Sequence, residues 1–265
     1  MTTRPPDTSA PADGLGARMP LRDHLRELRR RLMLAVAGLA VGAVVGWIAY
    51  PWVFDFLARP VFDLAEATGR ELELNFGGVA TPLDLQLKVS LFVGTLLTVP
   101  WWVYQLWAFV TPGLTRKERR YTVGFVAAAV PLFLAGAALS WLLMPQALAI
   151  LAGFTPEDAI NIIEAQVYLG FIMRLTLAFG AAFLVPVLMV VLTLVGLVRG
   201  EGWLAGWRWA VLIAFVFAAV ATPTADAVTM ITLAVPICLL YFAAVGICVL
   251  IDRRRDRRLA QEESA

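Results

Sequence analysis

Long apolar runs interrupted by short charged segments set the pattern of this chain. A bilayer core about 30 Å thick takes roughly 20 apolar residues in helical form. Residues 32–50 (LMLAVAGLAVGAVVGWIAY) carry no charge and predict a first span, and 89–110 predict a second. Residues 121–156 are charge-free over 36 positions. That is too many for one upright helix, so the third span is placed at 121–145 with the remainder outside. A fourth covers 167–195 and holds one charge, Arg174. The fifth, 209–225, has only 17 uncharged residues, and the sixth runs over 227–251. Only Asp226 and the turn Thr222-Pro223-Thr224 separate these two, which predicts a tight hairpin of short helices. Prolines 100, 131, 186 and 236 each remove a backbone donor and bend a helix. The expected fold is an all-α membrane protein: a curved, proline-kinked bundle of six transmembrane helices.

Placing the basic residues orients that bundle. The segment before the first span holds seven arginines, and 116–120, 199–208 and the C-terminal tail hold eleven more basic residues. These make 18 of the 22 in the chain, leaving Arg59, Arg70, Lys88 and Arg174 for the other side. Because Lys and Arg favour the cytoplasmic side, both termini are expected there, in a cytoplasmic membrane. Residues 1–18, rich in Pro, Ala, Asp and Gly, read as a disordered lead. Residues 19–252 form the membrane domain, and 253–265 a solvated basic and acidic tail. No small-residue cleavage site follows the first span, so the N-terminus is not expected to be a cleaved signal. In the long outside loop 52–88, apolar residues at Val53, Phe56, Leu57, Val61 and Leu64 suggest an amphipathic helix along the outer surface. The tryptophans near helix ends, Trp107 among them, read as an aromatic belt.

Composition narrows the function classes. The chain is 60% hydrophobic and 16% charged, against roughly a quarter charged in soluble domains. The mean hydropathy is +0.76, a net charge of +2 says nothing until the charges are placed, and no nucleic-acid partner is expected. One histidine, His24, and two cysteines, Cys238 and Cys248, cannot assemble a Cys/His metal cluster, and no cofactor is expected. No nucleophile elbow, phosphate loop or inward carboxylate chain is present, so an enzyme is not expected.

What stands out is a strongly basic face with few, well-placed acids. Glu27 lies in LRDHLRELRRRL, with Arg30 and Arg31 at i+3 and i+4; an intrahelical salt bridge is the ordinary reading. Glu118 lies in TPGLTRKERR, three residues after Thr115, the spacing of a capping box. Both acids nevertheless sit at the same membrane boundary inside positive clusters, where a carboxylate stays ionised and accepts a forked guanidinium.

Four segments carry a family resemblance: HLRELRRRL (24–32), YQLWAFVTPGLTRKERR (104–120), AFGAAFLVPV (178–187) and ATPTADAVTM (221–230). In order and spacing they resemble TatC, the large membrane subunit of the twin-arginine protein translocase, over about 19–252. The resemblance implies a receptor for signal peptides bearing consecutive arginines on folded cargo. It also implies recruitment of the small subunits TatA and TatB, other TatC copies in the complex, and transport driven by the protonmotive force. Carried over by position, Glu27 and Glu118 receive the two arginines, Gln105 and Phe109 neighbour them, Arg29 belongs to the N-terminal motif, and Pro60 is a structural proline. For Phe109, stacking on the signal and plain interfacial packing both stand.

Two departures follow. The family pattern has an acidic or amide residue where this chain has Leu184, a position implied to contact the partner helix. Arg174 lies ten residues earlier, either functional within the span or snorkelling to the outer interface; a pair with Asp226 is the functional version. The competing class is a small secondary transporter or channel, which would show internal repeats and several intramembrane charges.

Overall fold

The structure is a computed structural model that describes residues 21–69, 72–110, 119–153, 161–221 and 227–263. Eight helices and two short strands follow one another among these residues. They are α1 (Leu21–Thr68), β1 (Leu72–Asn75), α2 (Thr81–Leu97), α3 (Val99–Val110) and α4 (Arg119–Gly153). There follow β2 (Asn161–Glu164), α5 (Ala165–Leu194), α6 (Gly200–Ala205), α7 (Trp207–Ala221) and α8 (Ala227–Glu263). The protein is an all-α, multi-pass membrane protein apart from one two-stranded ribbon. Among the described residues four helices are long and apolar enough to cross a membrane, or five if the bent pair α2–α3 counts as one span. In hydrocarbon every backbone N–H needs an internal partner, which is why composition this apolar resolves into helices.

The boundaries differ from the expected ones in instructive ways. The first span and the predicted surface helix are a single helix, α1, with Pro51 and Pro60 inside it. A proline interrupts one hydrogen bond of a ladder, and the outer part of α1 is held by packing: Leu57 and Val61 are buried with Leu85, Val89 and Leu169. The Tyr168 hydroxyl also donates to the Leu57 carbonyl at 3.1 Å. Pro60 itself is buried. The second span starts earlier than expected and breaks at Thr98, where α2 and α3 meet at 65°. Pro100, in the first turn of α3, brings no N–H to continue the α2 ladder. The Thr98 carbonyl starts the new helix by accepting from Trp101 and Trp102, each at 3.0 Å.

The third helix runs on through Pro131 and Pro145 to Gly153, well past the expected end at 145. The fourth, α5, matches the expected span within two residues. The fifth, α7, spans 15 residues, about 22 Å at 1.5 Å per residue, short of a full bilayer core. The predicted solvated tail is a helical continuation of α8, exposed over residues 253–262. Charged residues such as Arg and Glu are good helix formers, and nothing in RRRDRRLAQEE breaks the ladder.

α5 is the centre of the bundle, touching α1, α2, α4, α7 and α8. Close approach replaces hydrophobic driving force where helices meet in lipid, so small residues line the contacts. On α1, Gly38, Gly42 and Gly46 face α2 and the start of α3. A Cβ at Gly42 would lie 2.9 Å from the Gly94 carbonyl oxygen, and one at Gly46 2.5 Å from that of Ser90. Between α4 and α5, Gly136 sits under the Phe179 carbonyl and Gly180 under the Phe133 ring. Beside them Ser140 and Thr176 share a buried hydroxyl pair at 3.0 Å. β1 and β2 pair in parallel, Leu72 opposite Asn161, and tie the two segments at the end of the bundle remote from the N-terminus of α1. The aromatic-belt reading fails for Trp107, which is 2% exposed and stacks on Phe125 at 4.2 Å in the core between α3, α4 and α5.

Candidate functional site

The N-terminal turns of α1 lie against the C-terminal half of α3, antiparallel. Positions 24, 31 and 38 recur every seven residues, two helical turns, and so share one face; 101, 105 and 109 recur every four. Three contacts join the two rows. The His24 ring stacks on Phe109 with centroids 4.7 Å apart. Arg31 Nη1 donates to Gln105 Oε1 at 3.2 Å. Trp101 Nε1 donates to the Leu34 carbonyl at 2.8 Å, its indole lying over Gly38.

Glu27 is part of this seam. Arg31 Nε donates to Glu27 Oε1 at 2.7 Å, the i,i+4 pair expected from the sequence, and both side chains are 24% exposed. Arg31 therefore does more than pair within its helix. One edge of its guanidinium fixes an acid on α1 and another reaches an amide on α3 that is itself only 3% exposed. The bond engages Oε1 of Glu27, and the carboxylate stands at the rim of the seam amid the exposed arginines 22, 26, 29 and 30. Such a partly exposed carboxylate in a positive field is an acceptor for a guanidinium.

The structure thus brings together Glu27, Gln105 and Phe109 from the predicted set. It adds His24, Arg31 and Trp101 to the expected set. The seven-residue repeat His24–Arg31–Gly38 was the signal for them. Arg29 is exposed on another face of α1 and forms no ion pair with a described residue. Glu118 and Asp226 lie outside the described residues, so neither the Glu27–Glu118 pair nor the Arg174–Asp226 pair is described. Leu184 is half-buried in the cluster formed with α3 and α4. Arg174 points elsewhere, into a groove beside α2, and its Nε donates to the Gly170 carbonyl one turn back at 3.0 Å. Among the described residues no three His, Cys, Asp or Glu side chains converge as metal ligands.

Comparison with known proteins places the chain. The family described as TatC, Sec-independent protein translocase protein, matches residues 23–236. A Sec-independent protein translocase protein TatC of Xylanimonas cellulosilytica is 56% identical over 258 residues, covering 96% of this chain and 94% of that one. One from Aquifex aeolicus is 31% identical over 240 residues, covering 89% and 98%. A crystal structure of the twin arginine translocase receptor TatC superposes with a TM-score of 0.74 at 31% identity, covering 86% of this chain and 98% of the other.

Proposed function

This chain belongs to the TatC family, and from that membership we propose that it is the receptor and core subunit of a twin-arginine translocase. It binds the Arg-Arg signal peptides of folded cargo and recruits TatA, TatB and further TatC copies for export driven by the protonmotive force. It sits in a bacterial cytoplasmic membrane with both termini cytoplasmic, as the bias of basic residues supports. The role is transport, not catalysis. The observation that carries the reading is the α1–α3 seam, where Arg31 joins Glu27 to Gln105 and the Phe109 ring stacks on His24.

One arginine of the signal docks on the Glu27 carboxylate, whose Oε1 already accepts from Arg31. Glu118, immediately before α4, serves as the second acceptor. Charge-assisted bonds of this kind are worth about 1.5–3 kcal/mol each. A lysine keeps the charge but loses the planar fork, which gives a physical basis for requiring arginine. The surrounding arginines repel cationic peptides that lack this fit. A secondary transporter or channel would be indifferent to the Arg/Lys distinction.

The six-span count treats α7 as the fifth crossing. A stretch shorter than the hydrocarbon thickness is accommodated by local thinning of the bilayer, and the short hairpin in the sequence supports that reading.

The test is binding of a signal peptide carrying Arg-Arg or Lys-Lys to the purified protein. Arg-Arg is expected to bind at least about tenfold more tightly, the equivalent of one charge-assisted bond, and Glu27→Gln is expected to abolish that preference. Equal binding of the two peptides by the unmodified protein would defeat the proposal.

A further inference from the structure

At the ribbon end of the bundle, α2 and α5 leave a groove of about 650 Å³ between them. Its walls carry two cations, Lys88 and Arg174, with Glu164 at the ribbon, over an apolar floor that includes Leu91, Phe92 and Leu177. The two cations differ in their company. Lys88 Nζ lies 2.6 Å from Asp84 Oδ2, and the same oxygen accepts from Gln166 Nε2 at 2.8 Å, so its charge is already shared. Arg174 donates only Nε, to the Gly170 carbonyl, and no described carboxylate stands within ion-pair distance of it.

Arg174 also belongs to a membrane span and is exposed, as are Leu91 and Val167 beside the groove. A guanidinium facing hydrocarbon needs an anion or a path to the interface. The bond to Gly170 turns the side chain towards the start of α5, the direction of the nearer interface. Both terminal nitrogens of the fork remain for a ligand, and two N–H donors in one plane match two oxygens of a phosphate.

We propose that this groove holds the phosphate of a membrane phospholipid, gripped by the free edge of Arg174 with Lys88 as the second positive charge. The acyl chain lies along Leu91, Phe92 and Leu177. A lipid fits better than a soluble anion because the groove opens between two spans, where an occupant needs an apolar part to sit against the exposed Leu91 and Val167. Glu164 at the mouth opposes a second phosphate, so one phosphate per headgroup is the chemistry selected.

Delipidated protein in neutral detergent is titrated with dioctanoyl phosphatidylglycerol, with dioctanoyl glycerol lacking the phosphate, or with inorganic phosphate, and thermal unfolding is followed. The phospholipid is expected to raise the midpoint saturably while the other two do not. Arg174→Gln is expected to weaken the apparent affinity about tenfold or more, as loss of a forked charge-assisted contact implies. Lys88→Gln should weaken it by less, and Arg208→Gln, at the far end of the bundle, should not. Should Arg174→Gln fail to fold, Lys88→Gln and Arg174→Lys carry the comparison, and both are expected to bind more weakly than the unmodified protein. Equal protection by dioctanoyl glycerol or by inorganic phosphate would overturn the proposal, as would unchanged affinity in the Arg174 and Lys88 variants.

Discussion

The indole of Trp101 occupies the space a side chain at Gly38 would need, and its Nε1 is bonded to the Leu34 carbonyl one turn earlier on α1. This contact locks the start of α3 onto the first span. It lies below the Arg31–Gln105 bridge and the His24–Phe109 stack, so the register of all three contacts is set together.

Gly38→Val is therefore expected to force the two helices apart. Overpacking of a tight contact costs about 1–3 kcal/mol, visible as a lower thermal midpoint in detergent. Because the seam above would lose its register, Arg-Arg peptide binding should fall as well. A variant with an unchanged midpoint would mean that α1 and α3 do not pack as described.

Arg31 and Gln105 should be coupled. Arg31→Leu releases Glu27 from its oriented position and leaves the buried Gln105 amide without its donor, an arrangement costing about 1–3 kcal/mol. Gln105→Leu alone is expected to be milder, since Arg31 keeps Glu27. A double-mutant cycle read by thermal unfolding should give a non-zero interaction energy, and strict additivity would show that the bridge contributes nothing.

Phe109→Leu separates two roles of one ring. Loss of the stack on His24 is expected to cost about 0.5–1.5 kcal/mol of stability. If the ring also contacts the signal peptide, affinity should fall by several-fold beyond what stability explains. Unchanged peptide affinity with a reduced midpoint would restrict Phe109 to packing.

At the end of α5, the Asp252 carboxylate of α8 accepts the Gly200 N–H at 2.6 Å, capping α6 from another helix. Substituting Asp252 by Ala should cost about 1 kcal/mol, the usual worth of a helix N-terminal acceptor, and loosen α6 from α8. Amide exchange at Gly200 is the direct readout: it should accelerate in the variant, and unaltered protection would exclude the cap.

Much of the architecture was legible in the chain. α5 is legible to within two residues because a charge-poor run bounded by polar residues leaves one choice in a bilayer. Pro100 marked the bend between α2 and α3, and the Glu27–Arg31 pair followed from i,i+4 spacing alone. Other features were hidden. The strands LELN and NIIE are four residues each, too short for an alternating pattern, and they exist only because each finds the other. The continuity of α1 through Pro51 and Pro60 is not legible, because a proline reads as a boundary. Burial of Leu57 and Val61 against α2 and α5 outweighs the lost hydrogen bonds. Trp107 reads as an interfacial residue by its place at a helix end, yet α4 and α5 cover it.

By itself the amino-acid order decided which segments leave water and that they become helices, since hydrocarbon tolerates no unsatisfied peptide group; this is a local property of each run. Which faces meet was decided only in three dimensions. To a lipid tail one apolar face resembles another, so partners are chosen by glycine-scale fit and by a few polar contacts between residues remote in the chain. Gly38 under Trp101, and Arg31 spanning Glu27 and Gln105, are such contacts.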